Sequence, residues 1–171
     1  MRTYTQEELN YLIKCEKTIT SPPKKVMTQD KGHYRNSMLL QSKDGVNNFS
    51  LFIRKNVKFE ENFSIGLVYH PKDGSEKITI FRCNGPHGIH VNDFMEGKYH
   101  DSYHIHIAKD FNINAGKKSD LYAKSTQDYI NLNEAILYCI KYCNIENADN
   151  YFNLDNGTQL TLLDEGLSNG G

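Results

Sequence analysis

FSIGLVYHPKDGSEKITIFRC, residues 63–83, is the stretch whose reading decides the fold. Phe63, Ile65, Leu67 and Tyr69 alternate with smaller or polar residues, the period of two that marks a strand with one buried face. Pro71-Lys72-Asp73-Gly74 then reverses the chain: proline presets φ, and aspartate and glycine accept the conformations a turn needs. Lys77–Cys83 returns as the second strand, with Ile78 and Ile80 inward. Strands joined so tightly are antiparallel.

Working outward, Asn48–Arg54 repeats the alternation with Phe49, Leu51 and Ile53. Met38–Leu40 reads as a short strand, Tyr103–Ala108 as another, and Leu121–Ala123 as a brief extended piece. Ahead of them, Thr5 and Glu8 fit a capping box, which opens a helix carrying Leu9, Leu12 and Ile13. That helix is expected to run to about Ile19 and to stop at Ser21-Pro22-Pro23, because proline cannot continue it. Residues 24–36 are polar and basic and read as a loop. Leu132, Ala135, Ile136, Cys139, Ile140 and Cys143 form one helical stripe, with Asn131 and Glu134 as its cap. Residues 146–154 suit a last short helix. The expected architecture is α+β: one domain over residues 1–154, an antiparallel sheet of about five strands, and a helix at each end. Residues 155–171 read as a partly disordered tail.

Composition excludes several classes. With 38% hydrophobic residues in 171, the chain can form a core without covalent staples. No window approaches the roughly 18–20 apolar residues of a membrane span. The opening MRTYTQEELN has no apolar secretion segment, so the expected compartment is the cytoplasm. Cys15, Cys83, Cys139 and Cys143 form no C-x-x-C pair and read as reduced thiols. Nucleotide-binding G-x-G-x-x-G and G-x-x-x-x-G-K motifs are absent, as is the G-x-S-x-G elbow.

The net charge of −1 gives no global basic signature, but its distribution is uneven. Residues 1–60 hold 11 Lys/Arg against 6 Asp/Glu, and residues 61–171 hold 9 against 15. Lys14, Lys17, Lys24, Lys25, Lys31 and Arg35 are therefore candidates for a basic face that meets RNA, DNA or an acidic protein.

Five of the seven histidines fall within residues 87–106: His87, His90, His100, His104 and His106. Strand alternation puts His104 and His106 on one face, about 7 Å apart at the backbone. Tyr103, Ile105 and Ile107 take the other. Residues 84–101 read as a long loop able to bring His87 or His90 to the pair. Three readings stand open. The histidines are structural; or His87, His90, His104 and His106 supply ligands for a divalent metal such as zinc; or His87, His104 and His106 do acid–base work on a phosphodiester, with Arg82 stabilising the developing charge.

The motifs TQEELNYLIK, FSIGLVY, IFRCNGPHGIH, YHIHIA and LNEAILYCIKYCNI, in that order, resemble an uncharacterised bacterial mobile-element family, a domain of unknown function. The resemblance covers roughly residues 4–154. Its pattern is an Asn-Gly-Pro-His stretch (Asn84 to His87), a His-x-His strand (His104, His106) and a closing Tyr-Cys-Asn-Ile (Tyr142 to Ile145). Tyr103 departs from it, standing where the family pattern has proline. The histidine pattern is in turn similar to that of TumE-like toxins. The resemblance implies a toxin–antitoxin or phage–host conflict protein; together with the one-faced histidine pair and the basic bias, the expected role is to bind or act on RNA, with an antitoxin as a candidate partner. The alternative is a non-enzymatic, anti-CRISPR-like inhibitor that binds a defence effector or ribonucleoprotein.

Overall fold

The computed structural model describes residues 2–86, 102–119 and 121–152, and the backbone of 90–91 and 99–100. The expected tail, 155–171, lies outside the described residues, as does His87. Helix α1 spans Gln6–Lys14, and strands β1 to β6 span Lys17–Ser21, Thr28–Asp30, His33–Ser42, Asn48–Asn56, Phe63–His70 and Ile78–Asn84. Next come the ribbon strands β7 (His90–Val91) and β8 (Tyr99–His100), then β9 (His104–Ile107) and helix α2 (Asp110–Asn114). Strand β10 (Ala123–Ser125), helix α3 (Leu132–Tyr142) and one 3-10 turn at Ala148–Asn150 complete the order.

The main sheet is antiparallel and larger than expected, with eight strands instead of about five. Its order is β1-β3-β4-β5-β6-β9-β10, with β2 paired to β3. The β5–β6 hairpin forms as read, with a register shift between Leu67 and Val68. α1 and α3 both pack over the middle of the sheet. Leu9, Leu12 and Ile13 of α1 and Ala135, Ile136, Cys139 and Ile140 of α3 are buried. They meet the inward residues Leu40, Leu51, Ile65, Leu67 and Phe81 in one core. Among the described residues, no helix is long and apolar enough to cross a membrane.

Two extra strands come from the segment read as helix end and loop. α1 stops at Lys14, and Cys15 turns extended at φ −57°, ψ 147°. The β-branched run Thr18-Ile19-Thr20 then pairs with β3, Ile19 opposite Leu40. Tertiary pairing overrides the local helical spacing there. Within residues 24–36, Asp30 and His33 pair across a two-residue turn. Lys31 and Gly32 both take positive φ, 44° and 80°, as a tight hairpin between right-twisted strands requires.

The helix caps form largely as expected. Thr5 Oγ accepts from the Glu8 N–H at 3.1 Å. The Glu8 carboxylate, however, pairs with Arg2 instead of closing the box. Asn131 accepts from the Glu134 N–H at 2.9 Å. α3 ends with Asn144 at φ 55°, while Ile145 N–H reaches back to the Ile140 carbonyl at 3.1 Å. This left-handed stop satisfies a carbonyl that the helix end leaves open.

Candidate functional site

The face of the sheet turned away from α1 and α3 carries the candidate site residues of β3 to β9. Cross-strand register sets its rows. Arg35 lies opposite Arg54, Arg54 opposite Ser64, Ser64 opposite Asn84, and Asn84 opposite His104. The adjacent row runs Ser37, Phe52, Gly66, Arg82, His106. Gly66 leaves room for the Phe52 ring to lie across β5, since a Cβ there would stand 2.4 Å from that ring. The Arg54 guanidinium sits 5.1 Å from the Phe52 ring centre.

Two hollows open on this face and share Arg54. One, of about 290 Å³, is lined by His33, Arg54, Asn62, Phe63, Ser64, Arg82 and Asn84. The other, of about 230 Å³, includes Lys24, Arg35, Phe52 and Arg54. Among the described residues, neither lining contains a carboxylate. Arg35 pairs with Asp30 at 3.2 Å. Arg54 makes no ion pair among the described residues. Two arginines directly opposite across strands repel each other, a cost that makes sense where an anion is to be held.

The histidine pair shares a face, as alternation requires, with ring centres 5.0 Å apart. Both rings are nonetheless buried. The Ser102 carbonyl stands 2.7 Å from His104 Nδ1. A carbonyl only accepts, so Nδ1 carries the hydrogen, and in the neutral imidazole Nε2 is then a lone pair. That lone pair accepts from Asn84 Nδ2 at 3.1 Å. With both nitrogens engaged and no exposure, His104 offers neither a base to a substrate nor a lone pair to zinc. This arrangement fits the structural reading of His104, the first of the three that the sequence leaves open. Among the described residues, no three His, Cys, Asp or Glu side chains converge as a metal ligand set. His87, and the side chain of His90, lie outside the described residues.

The expected basic face is redistributed. Lys17 is fully buried, so it is no part of an exposed surface. Its Nζ donates to the carbonyls of Ile13, Cys15 and Cys143 at 2.8, 2.7 and 3.1 Å. Burial pulls this ammonium below the usual lysine range. Lys14 donates to the Tyr142 carbonyl at 2.9 Å and lies over the Tyr142 ring. Both therefore cap helix C-termini. Lys24 and Arg35 line the second hollow, Lys25 is exposed on the segment before β2, and Lys31 occupies the β2–β3 turn. Arg82 lines the first hollow.

Sequence reasoning misses Arg54, which has the look of an ordinary exposed strand charge, and His33, which falls in the expected loop. It misses Tyr129 too. The Tyr129 hydroxyl donates to the His104 carbonyl at 2.7 Å and accepts from the Asn84 N–H at 3.1 Å, clipping β6 to β9. Burial pushes this phenol well up. A family model described as a family of unknown function, DUF6978, matches residues 4–145. The chain belongs to that family. No curated protein and no solved structure matches it.

The recognised motifs of this DUF6978 member now divide by role. Tyr142-Cys143-Asn144-Ile145 is the stop of α3: Cys143 and Ile145 are buried and Asn144 takes the left-handed turn. Burial pushes the Cys143 thiol well up, as suits an inert core thiol. Asn84 instead lines the first hollow, and Gly85 follows it at the end of β6. Gly85 N–H bonds to the Phe63 carbonyl at 3.1 Å, holding the end of β6 against β5.

Proposed function

We propose that this protein binds RNA, laying phosphate groups at the Arg54–Arg82 hollow on the polar face of the sheet. The observation that carries the reading is the first hollow, which brings Arg54, Arg82 and His33 together with the polar Asn62, Ser64 and Asn84. Phe52, whose ring occupies the space at Gly66 with the Arg54 guanidinium 5.1 Å from its centre, supplies an aromatic group of the kind on which single-stranded bases stack. Binding suits the site better than cleavage, because His104 has both nitrogens engaged.

Fluorescence anisotropy with a labelled single-stranded RNA tests this. Arg54→Gln and Arg82→Gln should each weaken binding. Each should also make the slope of log affinity against log salt shallower by about 0.7 for every phosphate no longer neutralised. A double variant that binds as the parent does, with the same slope, overturns the reading. The setting we propose is toxin–antitoxin or phage–host conflict, which rests on the motif resemblance. Induced expression is then expected to slow growth, and to do so less for the double variant. Equal growth of both strains and of an empty control removes that setting.

A further inference from the structure

We infer that the Arg54–Arg82 hollow takes a single nucleotide, with its phosphate on the arginines and an amino group of its base on the side-chain carbonyl of Asn84. The inference deepens the RNA reading and rests on its anion-binding hollow. Asn84 lines that hollow and is only 1% exposed. Its amide has a set orientation. The Ser102 carbonyl places the hydrogen of His104 on Nδ1, His104 Nε2 must accept, and Asn84 must therefore turn its NH2 group toward it. Asn84 Oδ1 is left without a hydrogen-bond partner among the described residues. A buried carbonyl in that state is unfavourable and calls for a donor.

An anion alone does not answer this. The oxygens of a phosphodiester and Asn84 Oδ1 are all acceptors, so the occupant brings a negative charge and a separate hydrogen-bond donor together. A nucleotide with an amino-bearing base does both. At about 290 Å³ the hollow suits a ligand of that size. Asn62 and Ser64 add polar groups around it. His104 acts here as a positioning residue: it touches Asn84, not the ligand.

Titration calorimetry on the unaltered protein tests the inference without risk to folding. The probes are AMP, purine riboside 5′-monophosphate, which lacks only the exocyclic amino group, and inorganic phosphate. AMP is expected to bind at least tenfold tighter than either. Equal binding of AMP and the purine riboside overturns the Asn84 role, even while phosphate binding upholds the anion site. An oligoadenylate arm separates the sources. Tighter binding than AMP identifies a nucleotide within a strand, and weaker binding a free nucleotide. RNA binding with no competition by AMP overturns the inference and spares the RNA reading; no binding of any probe removes both. In Asn84→Ala, the preference for AMP over purine riboside 5′-monophosphate should vanish while phosphate binding persists. Retention of that preference in the variant overturns the assignment.

Discussion

Gly85→Ala is expected to destabilise the protein by roughly 3–5 kcal/mol, lowering the unfolding midpoint by about 10 °C. A Cβ at this position would lie 1.8 Å from the Glu61 carbonyl oxygen and 2.9 Å from Phe63 Cε1. The first clash is with backbone, so no side-chain rotation relieves it. Nor can Glu61 retreat easily. The turn that carries it is tied by Asn62 N–H to the Phe59 carbonyl at 3.0 Å and by Asn56 N–H to the Asn62 carbonyl at 2.8 Å. Gly85 is itself bonded to Phe63 on the same side. The two strand ends must part, and parting them opens the hollow between Asn62, Phe63 and Asn84. RNA affinity should therefore fall together with stability. Circular dichroism melts check the first effect and anisotropy the second. A midpoint within two degrees of the parent, on the order of 1 kcal/mol or less, would show that the close approach is not maintained in solution.

Lys17→Met should cost about 3–5 kcal/mol even though methionine is similar in size and more apolar. An ammonium has three N–H groups, and three carbonyls receive them. Ile13 and Cys15 lie at the end of α1, and Cys143 caps α3, so one charge meets the negative ends of two helices. The Phe49 ring lies 5.0 Å away. A buried ion pair can sometimes be replaced by apolar residues on both sides, but backbone carbonyls cannot be replaced. The variant leaves all three stranded. Urea unfolding measures the loss. RNA binding by the folded fraction should match the parent, because Lys17 is remote from the open face. A variant of full stability with diminished RNA affinity would return Lys17 to a binding role.

The legible residues are those whose neighbours lie close in sequence. The alternation in β4 and β5, the Pro71–Gly74 turn and the stripe of α3 each follow from local geometry. The end of α1 does not. Lys14 to Ile19 keeps a helical look, yet β1 gains sheet hydrogen bonds with β3 and with Asn144, more than 120 residues away. The basic face fails in the same way. Counting charges cannot tell Lys17, enclosed by two helix ends, from Lys24, which is exposed.

The histidine segment shows the same division inside the site. Spacing alone places His104 and His106 on one face, because side chains alternate along any strand. Their meaning depends on register: β9 pairs with β6 so that Asn84 falls opposite His104. That pairing supplies a donor to one ring nitrogen, while the Ser102 carbonyl takes the other. The β4–β5 and β5–β6 registers likewise bring Arg54 and Arg82, from strands separated by β5, to one hollow. By itself the sequence determined the α+β class, the hairpin, the core stripe of α3 and the shared face of the histidines. Only the tertiary structure decided which charges are buried, which histidine nitrogens are engaged and which polar groups converge, because those depend on contacts between residues distant along the chain.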